Sequence, residues 1–194
     1  MNTNAWVSKV VRLLEELKDD RLLVTIDGPC GSGKSTLASA LSEALGAPVV
    51  HMDDYVIPHA QKTAECLAIP GGNADQERLL AEVIWPWLAG ETAIVRPYLC
   101  HEDHFGAGAP LPESRLLILE GTYCHLPAIS ALAALRLFLT IDDVEQQNRL
   151  RQRVGDERLA DFNNRWIPLE KAYFSAYGLP DARCMLIGSY DQSL

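Results

Sequence analysis

The chain has 194 residues, of which 17 are Lys or Arg and 26 are Asp or Glu, so its formal net charge is −9. Hydrophobic residues make up 48% of the sequence and charged residues 22%, which is typical of a soluble globular protein with a substantial core. This composition excludes a disordered or collagen-like chain. The acidic balance argues against nucleic-acid binding, because that function depends on clustered Lys and Arg. The length predicts one domain over residues 1–194.

Neither membrane insertion nor secretion is expected from the sequence. No run of about 18 apolar residues occurs, so we expect no membrane-spanning helix. The first 20 residues lack the apolar block of a signal peptide. The five cysteines are scattered, odd in number and without a C-x-x-C pair, which argues against a disulfide framework or a zinc site. These features together predict a cytoplasmic location.

Strands and helices alternate along the chain, and this alternation predicts βαβ units with a mainly parallel sheet. Helices are indicated by apolar residues at helical spacing and strands by short apolar runs. In chain order the prediction is a helix over 4–18, a strand over 21–26, a turn, a helix over 34–45, a strand over 49–52, an irregular segment over 53–74, a helix over 75–88 that Pro86 bends or stops, a strand over 93–98, a loop over 101–112, strands over 116–119 and 135–141, a helix over 142–154, a polar segment over 155–165, a helix over 166–177 and a strand over 184–187.

Residues 28–35, Gly-Pro-Cys-Gly-Ser-Gly-Lys-Ser, match the pattern G-x-x-x-x-G-K-[ST] in full. They lie between a predicted strand and a predicted helix, the context that this phosphate-binding motif requires. Its glycines let backbone N–H groups point at a phosphate, and the helix N-terminus adds positive potential. In such a motif Lys34 reaches the β- and γ-phosphates, and the hydroxyl of Ser35 binds Mg²⁺. The candidate nucleotide-binding residues are Gly28, Gly31, Ser32, Gly33, Lys34, Ser35 and Thr36.

A phosphate-binding motif alone does not define the reaction. The base-reading sequence N-K-x-D of a switch GTPase is absent, and the chain is too short for a motor or AAA-type ATPase. A short phosphate-binding loop in a chain of this size favours a small-molecule kinase that uses ATP and Mg²⁺.

Two acidic residues directly follow predicted strands: Asp53 follows the strand over 49–52, and Glu120 follows the strand over 116–119. Ligands of doubly wound sheets bind at the carboxyl ends of the strands. A kinase needs one carboxylate to accept the proton of the acceptor hydroxyl and another near the metal, and these two residues are the candidates. Alternatively, Asp53 or Asp54 caps the next segment, and Glu120 pairs with a buried Arg.

The order and spacing of the motifs are more specific than any one of them. The set, which extends over about residues 20–190, consists of the phosphate-binding loop 28–35, Asp53-Asp-Tyr55, Asn73-x-Asp75, Tyr98 with a downstream His, Glu120-Gly121 and an Arg-rich helix. This set resembles the uridine kinase and phosphoribulokinase-like family of P-loop kinases. The resemblance implies a P-loop NTPase-type α/β three-layer sandwich, with a five-stranded parallel sheet and a short helical lid at about 149–165.

The resemblance also implies roles for individual residues. Asp53 matches the general base, which also lies near the metal, and Glu120 matches the acid that helps to hold Mg²⁺. Tyr55 matches a residue that lines the acceptor pocket, and Asp75 matches one that binds sugar hydroxyls. Tyr98 matches a residue that packs against the base or sugar. Either His101 or His104 matches one that contacts the base, and His104 is taken as the candidate.

Three arginines in the predicted helix over 142–154 resemble the lid arginines that close on the phosphates. They are Arg149, Arg151 and Arg153, of which Arg149 and Arg153 are assigned to catalysis because residues four apart share a helix face. A cation near the transferring phosphoryl group stabilises the charge of the transition state. Alternatively, this helix is a solvated charged surface on which Glu145 pairs with Arg149.

The sequence departs from nucleoside kinases on the acceptor side. Gln76-Glu77 stands where a nucleoside kinase usually has His-Pro, and Leu99 follows Tyr98 where Asp is usual. We therefore predict ATP-dependent phosphorylation of a small-molecule hydroxyl, with a uridine- or cytidine-like nucleoside as the leading acceptor. The alternatives are a kinase for a vitamin precursor, a sugar or a nucleotide, and a non-catalytic ATP-binding regulatory module. Homo-oligomerisation is left open.

Three residues are interpreted as packing residues. His51 lies in a short apolar strand and is expected to be a core histidine. Trp85 and Trp87 are expected to pack inside the helix over 75–88.

Overall fold

A computed structural model describes residues 3–188, whose centre is a five-stranded sheet. In chain order the strands of this part of the chain are β1 (Leu22–Asp27), β2 (Val49–His51), β3 (Ile94–Val95), β4 (Tyr98–Leu99), β5 (His104–Phe105), β6 (Ala109–Pro110), β7 (Leu116–Glu120), β8 (Leu135–Leu139) and β9 (Cys184–Ile187). The α-helices are α1 (Thr3–Glu16), α2 (Lys34–Leu45), α3 (Ala64–Ala68), α4 (Gln76–Leu79), α5 (Trp85–Leu88), α6 (Pro127–Ser130), α7 (Asp143–Asp161) and α8 (Ile167–Ala176).

The strand order of the central sheet is β2-β7-β1-β8-β9, and every neighbouring pair is parallel. Val24 of β1 aligns with Ile118 on one side and with Leu135 on the other. All six residues of β1 are buried, as expected for a strand covered on both faces. The predicted five-stranded parallel sheet with helices is confirmed. Because the strands are parallel, the ends of β1, β2 and β7 lie at the same edge of the sheet.

Helices cover both faces of the sheet. On one face Trp6 and Leu14 of α1 and Leu37 of α2 pack against the sheet. On the other face Trp87 of α5 and Tyr173 of α8 belong to a second buried cluster. The result is three layers, since each face of a buried sheet needs an apolar partner. None of the helices among residues 3–188 has the length and apolar character that crossing a membrane requires.

The helix predicted over 75–88 continues through Pro86 and does not stop there. A π-helical segment, Leu80–Ile84, joins α4 to α5. Pro86 has no N–H and would collide with the carbonyl of Glu82 in a regular helix, and a wider π turn relieves both problems. Trp87 is buried as expected, but the expectation for Trp85 is wrong, because 54% of its surface is exposed.

The strand predicted over 93–98 is replaced by two short antiparallel ladders outside the central sheet. β3 pairs with β6, and β4 pairs with β5. Pro97, between β3 and β4, cannot donate a backbone hydrogen bond and therefore interrupts a continuous strand. Part of the predicted loop over 101–112 thus forms strands.

The polar segment predicted over 155–165 is helical. Helix α7 continues to Asp161 with a kink at Gly155, where φ is 76°, and a π-helical segment, Phe162–Trp166, leads into α8. The positive φ is available to glycine at little cost, which lets the chain bend and resume its helix. The segment 149–165, predicted as a short helical lid, is a bent helical arm.

Candidate active site

The loop between β1 and α2 depends on glycine at several positions. Gly31 and Gly33 have φ values of 77° and 101°, which disfavour residues with a Cβ. A Cβ on Gly28 would lie 2.3 Å from the carbonyl oxygen of Leu139. The loop leads directly into α2, whose first residue is Lys34. The chain therefore places backbone N–H groups of a glycine-rich loop and a helix N-terminus around one point, as a phosphate site requires.

The ammonium group of Lys34 lies over this loop. Its Nζ donates hydrogen bonds to the carbonyl oxygens of Gly28 (2.7 Å) and Pro29 (3.1 Å) and approaches Oγ1 of Thr122 at 3.4 Å. Lys34 is buried and lines a cavity of about 820 Å³. The ammonium is thus fixed at the mouth of the loop, where a phosphate would sit.

A hydroxyl and a carboxylate meet beside the loop. Oγ of Ser35 donates a hydrogen bond of 3.1 Å to Oε1 of Glu120, at the end of β7. The same carboxylate oxygen lies 2.6 Å from Nδ1 of His51, and this hydrogen bond raises the pKa of His51. The expectation of a core histidine at position 51 is wrong, because β2 is an edge strand and half of the His51 side chain is exposed.

This oxygen pair fits Mg²⁺ when the metal arrives with a nucleotide. Hydroxyl and carboxylate oxygens are the hard ligands that Mg²⁺ prefers, and the ion usually takes only one or two from the protein, the rest coming from phosphates and water. Across residues 3–188 no three His, Cys, Asp or Glu side chains are grouped so that they could hold a metal ion by themselves. Ser35 and Glu120 would therefore hold Mg²⁺ together with phosphate oxygens.

Asp53 lies just beyond β2, in the 3-10 turn Met52–Asp54, and lines the same cavity. Its carboxylate is exposed. Asp54 is half-buried and does not line the cavity, and burial raises its pKa. The next α-helix, α3, is capped by the side chain of Thr63, so neither aspartate caps it. Of the two acids, Asp53 is therefore the one that lines the cavity.

The arginines of α7 divide between the cavity and the solvent. Arg149 lines the cavity and donates to the carbonyl oxygen of Gly31 (3.3 Å), although its Nε also pairs with Glu145 at 2.7 Å. Arg153 lines the cavity, and its guanidinium lies 5.5 Å from the ring centre of Phe162. The predicted pairing with Glu145 is thus present, and Arg149 also lines the cavity.

Two further arginines of α7, Arg151 and Arg158, differ in their position relative to the cavity. Arg151 points away from the cavity and pairs with Asp156 at 2.9 Å. Arg158, beyond the kink at Gly155, lines the cavity. Arg158 lies beyond the helix predicted over 142–154, so the sequence pattern did not single it out.

Helix α8 contributes a buried carboxylate that the sequence analysis missed. Oε2 of Glu170 accepts a hydrogen bond from the backbone N–H of Cys30 (3.0 Å), inside the phosphate-binding loop. Oε1 accepts one from Oγ1 of Thr122 (3.0 Å). These contacts hold α8 against the loop, and Glu170 lines the cavity. Only its place in a predicted helix was visible in the sequence, and that gives no sign of this role.

A second buried acid, Asp27, lies directly beneath the loop. Its carboxylate accepts hydrogen bonds from the backbone N–H groups of Gly28 (2.6 Å) and His125 (2.9 Å) and from the hydroxyl of Tyr173 (2.8 Å). Burial outweighs the attraction of Lys34 and these hydrogen bonds, and it raises the pKa of Asp27 to about 6. In the sequence, Asp27 stands out only as an acid at the end of a largely apolar strand.

Two of the residues predicted for the acceptor pocket lie elsewhere. Tyr55 is fully buried, and the guanidinium of Arg78 lies 4.2 Å from its ring centre. Asp75 caps α4 by accepting from the backbone N–H of Arg78 and also pairs with its side chain. Neither residue lines the cavity. The structure corrects both predictions: Tyr55 is a core residue and Asp75 is a helix cap.

The aromatic and histidine predictions also need correction. Tyr98 is buried, its hydroxyl donates to Asp103, and it does not line the cavity. His104 is exposed on β5 and contacts Glu102. His101, the alternative candidate, does line the cavity. Pairing of β4 with β5 turns His104 away, whereas the turn between these strands brings His101 to the cavity.

Part of the cavity wall is formed by residues to which the sequence assigned no role. Asn73 and Tyr123 line the cavity, and burial raises the pKa of the Tyr123 hydroxyl. Tyr123 has a φ of 81°, which is costly for a residue with a large side chain and is typical of functional sites. Lys62 and Val56 line the same region. Asn73, two residues before Asp75, thus lies where the Asn-x-Asp motif was expected to act.

The five-stranded parallel sheet, the glycine-rich loop after β1 and the helix that begins at Lys34 define a P-loop NTPase-type α/β fold. Among the solved structures that it matches are a protein described as a possible uridine kinase and two proteins proposed to be kinases, consistent with the uridine kinase and phosphoribulokinase-like family. No protein-family model and no curated protein sequence matches the chain.

Three solved structures illustrate the similarity. A possible uridine kinase from Bacillus stearothermophilus is 20% identical with a TM-score of 0.71, and the match covers 95% of this chain and 100% of that one. A protein proposed to be a fructose transport system kinase, from Silicibacter sp. TM1040, is 27% identical with a TM-score of 0.70, covering 90% and 95%. YFH7 from Saccharomyces cerevisiae, proposed to be a P-loop kinase with a circular permutation, is 12% identical with a TM-score of 0.68, covering 97% and 99%. This similarity supports a kinase.

Proposed function

We propose that the protein transfers the γ-phosphoryl group of ATP to a hydroxyl of a small molecule. The observation that carries the proposal is the convergence of all the required groups on one cavity. The groups are the ammonium of Lys34, the oxygen pair of Ser35 and Glu120, the carboxylate of Asp53 and the guanidinium groups of Arg149 and Arg153. The cavity volume of about 820 Å³ is near the upper end for a small-molecule site, which suits a nucleotide together with a small acceptor.

Each group has a role that its position supports. Lys34 and the loop N–H groups would bind the β- and γ-phosphates, and Ser35 and Glu120 would hold Mg²⁺, which would neutralise charge on the phosphates. Asp53 accepts the proton of the acceptor hydroxyl as that oxygen attacks the γ-phosphorus in line and the bond to the leaving oxygen of ADP breaks. Arg149 and Arg153 stabilise the charge that develops on the transferred group.

Closure of the arm formed by α7 and α8 would complete the site. Residues of this arm, among them Arg158, Phe162, Trp166 and Glu170, line the cavity together with the phosphate-binding loop. In kinases such a cover excludes water, which would otherwise hydrolyse ATP. The predicted lid over 149–165 is retained in this proposal.

The acceptor is proposed to be a nucleoside or another small hydroxylated metabolite, with a sugar as the main alternative. The resemblance to uridine kinases and the similarity to a protein described as a possible uridine kinase favour a nucleoside. The 27% identity to a protein proposed as a fructose transport system kinase favours a sugar.

Because the cysteines of residues 3–188 are all free thiols, we expect the protein to act in a reducing cytoplasm.

The test is release of ADP from Mg²⁺·ATP in the presence of ribonucleosides, sugars, pantothenate and nucleoside monophosphates. Stimulation by one acceptor, lost in Lys34→Ala and kept in Lys18→Ala, supports the proposal. Lys18 is exposed and does not line the cavity, so it is a matched control. A flat response to every acceptor, with ATP binding intact, would instead favour the regulatory ATP-binding module.

A further inference from the structure

We propose that the acceptor carries an anionic group, a phosphate or a carboxylate, in addition to the hydroxyl that is phosphorylated, and that Lys62 and His101 bind this group. The proposal rests on the kinase function proposed above and names the chemical class of its acceptor. The observations that carry it are the charges that line the cavity and the lack of an anionic partner for Lys62.

The cavity is basic although the chain is acidic. Five of the 17 Lys and Arg residues line it, but only three of the 26 Asp and Glu residues do. The basic residues are Lys34, Lys62, Arg149, Arg153 and Arg158, and the acidic ones are Asp53, Glu120 and Glu170. A protein with a net charge of −9 thus concentrates positive charge at this site, which favours anionic ligands.

The cavity charges divide into a phosphate side and an acceptor side. Lys34 and Arg149 both donate to carbonyl oxygens of the phosphate-binding loop. Glu120 accepts from Ser35 in the first turn of α2, and Glu170 accepts from the loop N–H of Cys30. These cations and carboxylates are therefore committed to the nucleotide and to the loop that holds it.

Lys62 and His101 come from other parts of the chain. Lys62 lies between β2 and α3, and His101 lies in the turn between β4 and β5. They share the cavity with Asn73 and with the proposed base, Asp53. Asp53 is the only cavity-lining carboxylate that these described segments supply. In the proposed mechanism it must receive the proton of the acceptor hydroxyl.

The ammonium of Lys62 has no ion-pair partner within 4.0 Å among residues 3–188. The pKa of Asp103 is lowered mainly by its hydrogen bond with Tyr98 and to a smaller extent by the charge of Lys62. The carboxylate of Asp103 is already bound to the hydroxyl of Tyr98 and lies 3.6 Å from His59. Nζ of Lys62 is 5.9 Å from the ring centre of Tyr98, which keeps the half-buried side chain in place. An ammonium group without a counter-ion can bind a phosphate or a carboxylate. The hydrogen bonds between such charged groups are stronger than those between neutral groups.

The neighbouring residues supply the rest of an acceptor site. Asn73 and Tyr123 both line the cavity, and an amide and a phenol together offer donors and acceptors to hydroxyl groups. An uncharged nucleoside would use this pair and would leave Lys62 without a partner. A small hydroxylated anion would use both features and would still place a hydroxyl near Asp53.

The experiment compares pairs of acceptors that differ only in the charged group. Ribose and fructose, each with and without a terminal phosphate, test the phosphate source. Pantothenol with pantothenate, and glycerol with glycerate, test the carboxylate source. Binding to the protein saturated with Mg²⁺·ADP is measured by calorimetry, and ADP release from Mg²⁺·ATP is measured in parallel. We expect the charged member of at least one pair to bind about 10- to 100-fold more tightly than its neutral partner.

Variants assign the effect to the proposed residues. Lys62→Gln should reduce that preference at least about tenfold with little change for the neutral partner, and His101→Gln should reduce it to a smaller extent. Lys18→Gln should leave it unchanged. A charge preference in binding without ADP release would contradict the kinase function and keep the anion site. Equal binding of the members of every pair, or a preference that survives in Lys62→Gln, overturns the anion site.

Discussion

The hydroxyl of Ser35 and the carboxylate of Glu120 are joined by a hydrogen bond of 3.1 Å, which connects the first turn of α2 to the end of β7. The carboxylate oxygen that accepts this bond also contacts His51. Two elements that are 85 residues apart in the chain thus bring their oxygen ligands to one point on the cavity wall. This pair is the basis of the metal site in the proposed mechanism.

Glu120→Gln is expected to raise the Mg²⁺ concentration that gives half-maximal activity by about 10- to 100-fold, because an amide oxygen is a weaker ligand for a hard cation than a carboxylate. The measurement is a Mg²⁺ titration of turnover at fixed ATP. Glu102→Gln, in the exposed turn between β4 and β5, is the control. A Mg²⁺ dependence identical to that of the wild type would remove Glu120 from the metal site.

Asp53→Asn is expected to lower turnover by about 10²- to 10⁴-fold and to leave ATP binding intact, since an amide cannot take the acceptor proton. Asp54→Asn is the matched control, because its side chain carries the same charge one residue further on but does not line the cavity. Turnover with the best acceptor and the dissociation constant of ATP are measured for both variants. Equal losses in the two variants would show that the general base lies elsewhere.

Removal of single arginines from α7 should separate the cavity-facing residues from the others. Arg149→Met and Arg153→Met are each expected to lower turnover by about 10- to 100-fold, because a cation beside the transferred phosphoryl group is lost. Arg151→Met should have little effect, since Arg151 is exposed and pairs with Asp156. If all three variants behave alike, this surface of α7 is only a solvated charged helix.

Gly28→Ala and Gly46→Ala compare two glycines with positive φ. Gly46 has a φ of 62° and free space for a Cβ, so the variant should lose about 1–2 kcal/mol of unfolding free energy. In Gly28→Ala the new Cβ would meet the backbone oxygen of Leu139 at 2.3 Å, and the loss should be about 3 kcal/mol or more. Urea denaturation measures both, and equal losses would contradict the close approach of the loop to β8.

Asp27 should make the protein less stable as the pH rises from about 4 to about 6. Its pKa is 3.8 ordinarily and about 6 in the folded protein, so the folded state binds the proton more tightly than the unfolded chain does. Its contribution is present in full below pH 3.8 and is lost as the pH passes 6, which amounts to about 3 kcal/mol.

Asp27→Asn should lack this pH dependence, although the variant is less stable overall because its amide N–H₂ faces the donors of His125 and Tyr173. The quantity to compare is the slope of unfolding free energy against pH for variant and wild type. Parallel slopes between pH 4 and pH 6 would show that Asp27 is ionised in the folded protein at low pH.

The elements of the central sheet and the phosphate-binding loop could be predicted because their signals are local. β1 is a short apolar run, and the glycine pattern that follows it has one structural meaning in that context. Asp53 and Glu120 were selected because parallel strands end at one edge, and the structure places both at the cavity.

The acceptor side could not be predicted, because its residues are assembled by loop geometry. The segment between β2 and α4 brings Asn73 to the cavity, whereas Asp75, two residues further on in the same motif, pairs with Arg78. Glu170 reaches Cys30 across 140 positions, and no local pattern encodes that contact. The kinked helix beyond Gly155 likewise depends on one glycine with a positive φ.

The hydrogen bond from the backbone N–H of Cys30 to Glu170 makes the phosphate-binding loop a reporter of the arm. This amide hydrogen is shielded from solvent by a side chain of α8, not by its own strand or helix. Its rate of exchange with deuterium in heavy water therefore measures how often α8 leaves the loop. Deuterium uptake of a peptide that contains residue 30 would therefore report opening and closing of the arm in the protein without a chemical label. The uptake can be compared in the presence of each nucleotide and each acceptor.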